Sequence, residues 1–501
     1  MKKKIFFSLA LFALPVSALL AQVGTSFSGL QSNDSLATDS IFVPTDNSQP
    51  WTLQQCIAYA QVHNISVQQQ ALNVQMAKIN LTQSEGNLLP NLNGYASHTY
   101  NYGRTIDRYT NQFANNMVLS ENFYLTSQVT LFSGLQTINS IQQNKYNLEA
   151  NKFQVAQTQN DIGMNVASAY LNVLYTQEAV INAQKQYDLT QQQVARQQQI
   201  VDAGGSAKGP LLDLQSQLAT EEVALVAAQN NSTIAYLNLE QLMNLDSTRG
   251  FQIQKPDLTV PAQNILNTTP EAIYLTALNN QPSIKKAQLD LKSADKGVDV
   301  AYGAYSPSLT VQASVGTGYS GAAKQLNGLP QYNGYDTIGV TSGGDLVFIP
   351  NYSYQYATTP FADQFNNNVN KSFGVQLAVP IFNRFQVNSS VAKAKIAREN
   401  AELTMDLSQQ QLLKSIQQAY ADAQAAFLKY QASQKAVDAA QQSFQYTEDK
   451  FNVGAAGVGT IEYNNAKNKL AQAESDLLQA KFDYIFRMKI LDYYQGIPLT
   501  F

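Results

Sequence analysis

The chain has 501 residues, a net charge of −4 and only 14% charged side chains. No basic stripe offers itself to nucleic acid, and the length alone would fill about three ordinary domains. Cys56, the single cysteine, cannot form an internal disulfide and reads as a small buried apolar side chain.

The first residues form an export signal: Lys2, Lys3 and Lys4, an apolar stretch from Ile5 to Leu14, then Ala18 or Ala21 before cleavage. Cleavage after Ala21 leaves Gln22 first; no cysteine follows it, so lipid attachment is not indicated. The apolar run is short for a retained membrane anchor. Residues 22–50 are rich in Ser, Asp, Thr and Asn and read as a flexible leader. Beyond the signal there is no run of about 18 apolar residues, which excludes ordinary transmembrane helices.

Structure is expected to begin near Trp51, with Thr52 capping a helix over 52–88 that Pro90 stops. A strand follows over about 91–102, then a polar loop and a second strand over 121–132. A very long helix covers 136–203, and a glycine-rich turn leads to a further helix ending near 245. The second half runs the same programme: a helix over 270–304, Pro307, a strand over 307–319, a long loop, and a strand over 370–381. A helix over 386–453, a glycine-rich turn and a closing helix complete it.

Val166, Val173, Val180, Tyr187, Val194 and Val201 recur every seven residues, and so do Ile416, Ala423, Tyr430, Val437, Phe444 and Phe451. An apolar period of seven held this long means long helices packed on long helices. Its recurrence divides the chain into two internal repeats, 51–250 and 251–501. Each of the longest helices, at about 68 residues, spans roughly 100 Å.

The four strand segments have a different period. Leu309, Val311, Ala313 and Val315 alternate with polar residues, as do Phe373, Val375 and Leu377, and Phe123, Leu125, Val129 and Leu131. The first segment alternates less regularly but ends in Tyr100 and Tyr102. Each is about ten residues long, enough for a tilted strand to cross a bilayer. A soluble sandwich would alternate equally well, but the flanking helices leave no second sheet to cover the apolar face. Four strands cannot close a barrel, which takes about eight even when filled, and open edges are not tolerated in lipid. Other copies of the chain must complete it: two give about eight strands and little lumen, three about twelve and an open passage.

The order helix, Pro, strand, loop, strand, long helix, Gly-turn, helix, repeated once over about 51–497, resembles the outer-membrane efflux proteins of the TolC type. Its carriers are Trp51-Thr52-Leu53-Gln54-Gln55-Cys56-Ile57, the Leu89-Pro90-Asn91-Leu92 and Ser306-Pro307-Ser308-Leu309 boundaries, the exits Thr130–Gly134 and Pro380–Asn383, and the tip Phe451-Asn452-Val453-Gly454. The resemblance implies an α+β membrane protein. Each chain would give four strands to a β-barrel in the outer membrane of a Gram-negative bacterium, continued through the periplasm by a long α-helical barrel of coiled-coil hairpins. It further implies a homotrimer, a periplasmic adaptor (membrane fusion protein) and an energised inner-membrane pump.

The resemblance places adaptor docking at the small-residue tips: Gly204, Gly205 and Gly209 on one, Val453, Gly454, Gly457 and Gly459 on the other. Glycine that merely permits the reversal is the plainer reading. Asp213 and Glu462 match family acids near the constriction, where three copies would form a ring attractive to cations; solvated carboxylates at helix starts are the alternative. The family's second pore acid falls on Asn465. Phe451 stands where a gate tyrosine is usual, and neither tip offers the family's arginine, which points to a more apolar constriction involving Phe451.

No catalytic or metal constellation is found, and no cofactor is implied. His63 and His98 lack ligand-spaced partners. Ser283–Lys286 and Ser390–Lys393 have the Ser-x-x-Lys spacing but fall in predicted helix, and no phosphate loop or nucleophile elbow occurs. The leading expectation is a passive export duct. A pore-free periplasmic adaptor or scaffold would leave the strands unexplained, and a nutrient porin would leave the rods unexplained.

Overall fold

The computed structural model describes residues 50–107, 109–114, 117–245, 250–256, 268–453 and 459–497. The export signal, the leader up to residue 49, Gly454 and Gly457 lie outside them.

The helices follow from their caps. Thr52 accepts a hydrogen bond from the Gln55 N–H, and the Gln55 side chain accepts one from the Thr52 N–H, a capping box that starts α1 (Leu53–His63). The predicted single helix over 52–88 is in fact two. Asn64, with extended backbone, ends α1 and caps α2 (Ile65–Gly86) through a side-chain bond from the Ser66 N–H, 2.9 Å. The helix predicted over 270–304 is likewise split into α5 (Pro270–Asn280) and α6 (Pro282–Gly303). Pro282 forces Gln281 out of the helical region, at φ −70° and ψ 126°. The break at Asn64 has no mark in the helical composition around it, whereas Pro282 marks the second break in the sequence.

In chain order the first half continues with strands β1 (Asn91–Asn101), β2 (Thr105–Ile106), β3 (Phe113–Ala114) and β4 (Val118–Ser133), then helices α3 (Gln136–Asp202) and α4 (Gly209–Met243). After α5 and α6 come β5 (Ser308–Ser320), β6 (Lys324–Leu326), β7 (Gln331–Val340), β8 (Leu346–Ser353), β9 (Tyr356–Thr358), the short α7 (Phe361–Asn367), and β10 (Asn370–Ala378). The helices α8 (Gln386–Asn452) and α9 (Thr460–Tyr494) close the chain. Helix lengths match between halves: 11 residues for α1 and α5, 22 for α2 and α6, 67 for α3 and α8, and 35 for α4 and α9. Each 67-residue helix is a rod of about 100 Å. None of the residues in the two heptad series is exposed.

Two apolar cores brace the rods. Trp51, Cys56, Val166, Tyr170, Val173, Leu239 and Met243 pack where α1, α3 and α4 meet. Ile273, Ile284, Ile416, Ala423, Tyr484, Met488 and Leu491 do so around α5, α8 and α9. Burial pushes the Cys56 thiol up to about 12, which makes it inert. Gly134 and Gly303 cross where the strands meet the helices. A Cβ on Gly134 would stand 2.2 Å from the Gly303 carbonyl oxygen, and Gly134 has φ +62°.

Strands β1, β4, β5 and β10 form one antiparallel sheet in the order β1-β4-β5-β10. β4 starts earlier than predicted, and β10 stops at Ala378 rather than 381 because Pro380 follows. The register sorts the faces. Leu92, Leu125, Val129, Leu309, Val311, Val315, Phe373, Val375 and Leu377 share one side; Asn93, Thr126, Gln128, Thr310, Gln312, Ser314, Ser372 and Gln376 share the other. Along β10 the apolar side is open, with Phe373 74% exposed and Leu377 64%, while at the far end α7 covers Phe123 with Phe361 and Phe365. No helix among the described residues is long and apolar enough to cross a membrane.

The two predicted loops carry strands of their own. β2 and β3 pair within the first; in the second, the β7–β8 hairpin is nested inside the β6–β9 pair. Asp107 joins the two loops at the sheet's far end. It accepts from the Thr110 N–H at 2.7 Å, the Tyr109 N–H at 3.1 Å and the Ser320 hydroxyl, and Gln364 bonds the backbone of Ser320 on both sides. Burial pushes the Asp107 carboxyl up, but the hydrogen bonds from Ser320, Thr110 and Tyr109 outweigh it and hold it below the ordinary 3.8.

Two outcomes are expected. Arg at Val375, on the apolar face, destabilises the protein in lipid vesicles by about 2–4 kcal/mol if the site lies at the bilayer midplane. Arg at neighbouring Gln376, on the polar face, leaves urea unfolding near the parent's. Because the Asp107 pKa is depressed, its stabilisation is present above the ordinary aspartate value and lost as pH falls through the lower folded one. Hydrogen exchange over 105–114, corrected for intrinsic rate, therefore rises at acid pH, and Asp107→Asn exchanges fast at every pH.

The helix-hairpin tips as the candidate functional site

The first tip is a glycine-closed helix end. After α3, Ala203 is helical and Gly204 takes φ +75°. The Gly204 N–H donates to the Val201 carbonyl and the Gly205 N–H to the Ile200 carbonyl, both at 2.9 Å. This pairing satisfies the last carbonyls of the rod, and the left-handed residue it needs is glycine. Gly209 opens α4 with Pro210 beside it, and a Cβ on Gly204 or Gly209 would meet open space. Asp213, in the next turn, is exposed.

The second tip is capped differently. Val453 is exposed where α8 ends. Gly459 precedes α9, and its N–H donates to the Glu462 carboxylate at 2.9 Å. Glu462 is thus an exposed capping acid in the first turn, where the helix dipole favours negative charge. Asn465 is exposed a turn further on. Phe451 stacks on Tyr463 at 4.9 Å, and Phe444 reaches the other way to Tyr463 at 5.4 Å. Phe451 is therefore part of an aromatic seam that joins α8 to α9.

A buried polar cluster was absent from the sequence reading. Lys467 of α9, 3% exposed, donates to Glu221 of α4 at 3.2 Å, to Thr190 of α3, and to the Gln186 carbonyl at 3.3 Å. One step toward the tip, Gln193 donates to the Tyr463 hydroxyl at 2.7 Å. A signal existed: Leu211, Leu214, Leu218, Glu221 and Leu225 follow heptad spacing, with a carboxylate where a leucine belongs.

Sequence comparison places this architecture. The outer membrane efflux protein family profile matches residues 57–245 and 273–485. The chain belongs to the outer membrane efflux protein family. It is an outer-membrane channel of the efflux and secretion class. The chain is 22% identical to the outer membrane protein TolC of Escherichia coli strain K12 over 444 residues, 87% of this chain and 80% of that protein. It is 21% identical to the cation efflux system protein CusC of Escherichia coli O6:H1 over 436 residues, 85% of this chain and 82% of that protein. Among solved structures, CusC superposes with a TM-score of 0.69 at 17% identity, covering 91% of this chain and 94% of that one. VceC from Vibrio cholerae superposes with a TM-score of 0.68 at 15% identity, covering 89% and 96%. This efflux-family chain carries its four-stranded sheet at one end of the rods and its two tips at the other.

Substituting Val for Gly204 forces a β-branched side chain into left-handed backbone, a strain of about 1–2 kcal/mol. Exchange protection at 201–206 is expected to fall while that of β4 and β5 is unchanged.

Proposed function

We propose that three copies of this chain form one passive export duct, in which the β1 edge of each sheet pairs with the β10 edge of its neighbour. The observation that carries this reading is the sheet itself, exposed over most of its apolar face and, among the described residues, without a partner strand at either edge. Lipid can cover the face, but it cannot satisfy the edges. Pairing between copies does both, and three copies give about twelve strands with the polar face lining an open lumen. The equal helix lengths of the two halves support a duplicated chain, whose rods would continue the barrel as a helical tube of about 100 Å across the periplasm.

At the far end of that tube the tips meet the remaining components. An adaptor protein docks against the small residues Gly204, Gly205 and Gly209 and against Val453 and Gly459, with Gly454 and Gly457 between them. The adaptor links the duct to an inner-membrane pump, which supplies the energy. Asp213, Glu462 and Asn465, exposed near the tips, ring the entrance, and Phe451 stiffens the hairpin behind them. Acids around a narrow mouth favour cations.

Single-channel conductance in planar bilayers tests the reading. The parent is expected to give small, cation-selective currents, and Glu462→Gln and Asp213→Asn together lose that selectivity. A protein that never inserts, or runs on unheated gels only as a monomer, defeats the duct. Currents unchanged by both substitutions keep the duct and move the constriction to Phe451.

A further inference from the structure

Far from the tips, one buried carboxylate stands alone. Glu240 of α4 is 6% exposed, and its carboxylate accepts no hydrogen bond and forms no ion pair among the described residues. Burial raises its pKa above the ordinary 4.5. It lines a groove of about 610 Å³ with Gln177, Tyr236, Leu237, Phe251 and Ile253. The groove is firmly built: the Gln177 amide donates to the Tyr236 hydroxyl at 2.6 Å, and Tyr236 meets Phe251 edge-on at 6.2 Å. Its lip is nonetheless open, with Leu237 44% exposed. A buried carboxylate calls for a cation, and the chain offers Glu240 none.

The second half of the chain shows what covers such a face. Alignment of α4 on α9 at Asp213 and Glu462 places Thr233, Tyr236, Leu237 and Glu240 on Phe482, Ile485, Phe486 and Lys489. On α9 that face is covered, because Phe482, Ile485 and Phe486 pack into the first half's core against α3. The repeat of α3 is α8, so the matching face of α4 has the shape to receive an α8. This chain's own α8 is engaged elsewhere, on α5, α6 and α9. The register carries over as well. Phe482 meets Tyr175, and Tyr493 bonds Asn160 and Gln157. Their counterparts set Thr233 against Ala425, and Asn244 against Gln410 and Leu407. Glu240 falls between, opposite the stretch 410–425, whose only cation is Lys414. Lys414 lies on the same stripe of α8, about one turn from Gln410 and three from Ala425. It is exposed and has no ion pair among the described residues.

From this we infer that Glu240 is a socket for Lys414 of a neighbouring copy, an ion pair that a single chain leaves open at both ends.

The pair gives the contact between copies a chemistry that the contact within a chain lacks. The positions matching Glu240 and Lys414 are Lys489 and Met164, which cannot form an ion pair, and Lys489 turns to Asp492 of its own helix at 3.2 Å. Socket and peg sit on different hairpins of each chain, so every copy gives one and receives one. Such head-to-tail contacts close into a ring. A copy seated out of register would leave a buried carboxylate unpaired, which is strongly destabilising. The groove thus selects the correct neighbour and the correct register.

The socket rests on the reading of the chain as one of several copies around a duct, and gel mobility separates the two. Glu240→Lys and Lys414→Glu each are expected to lower the oligomer on unheated gels several-fold, and the two together to restore it. A second measurement carries the test if these variants fail to fold. Glu240→Cys with Lys414→Cys, treated with a short bis-maleimide, is expected to give covalent dimers and trimers on denaturing gels. Either cysteine alone is expected to stay monomeric, since Cys56 is buried. Single charge reversals at the parent's oligomer level overturn the socket, as does a swap no better than either reversal. Cross-linking confined to single chains, while the parent still forms its oligomer, overturns it too. A parent that runs only as a monomer overturns the duct, and the socket with it.

Discussion

The constraint on which the rest depends is that a backbone in lipid must satisfy its own hydrogen bonds. Placed in lipid, as proposed, the sheet of β1, β4, β5 and β10 meets it internally but, among the described residues, at neither edge. On that proposal the edges are instructions for assembly. The same sheet fixes the chemistry of its two faces, since strand register sends alternate residues to opposite sides. A one-residue slip of β10 would put Phe373, Val375 and Leu377 among Ser314, Gln312 and Thr310. A bulge between Thr130 and Phe132 shifts the β4–β5 register by one residue at that end, so that Phe132 opposes Leu309.

The helices answer a different demand, that of distance. A rod of 67 residues has far more surface than one chain's core can cover, and much of α3 and α8 is exposed. Core packing concentrates instead near α1 and α5, where short helices brace the rods against α4 and α9. The tips are left to local devices, a glycine-closed end on one side and a capping carboxylate on the other. Such ends are stable without a large interface.

The strength of a periodic signal decided what was legible in the sequence. The rods and three of the four sheet strands are plain in the sequence, because seven-residue and two-residue periods held over many positions cannot arise from local accidents. Asn64 breaks its helix through single-residue backbone geometry, which composition does not record, whereas the break at Gln281 is written in Pro282. The nested β7–β8 hairpin was read as loop because Tyr, Asn and Gly dominate it. At the tips, glycine marks the turns, and Glu462, read as a pore acid with a helix-start carboxylate as the alternative, caps α9. Phe451 was read as a constriction, and the structure seats it against Tyr463. That partner is invisible to a reading that takes one helix at a time.

The same blindness hid Lys467 and Glu221, whose places in the repeat show how two like halves differ where they meet. Align α4 and α9 on Asp213 and Glu462, and buried Leu214 falls on buried Tyr463. Leu218 then stands against Lys467, and Glu221 against Leu470. Each helix carries a charge where the other has a leucine, and the two opposite charges meet across the joint. Either charge alone would be a buried unpaired ion, among the most destabilising features a core can hold. Together they answer each other, so the two halves meet there by contrast rather than by likeness.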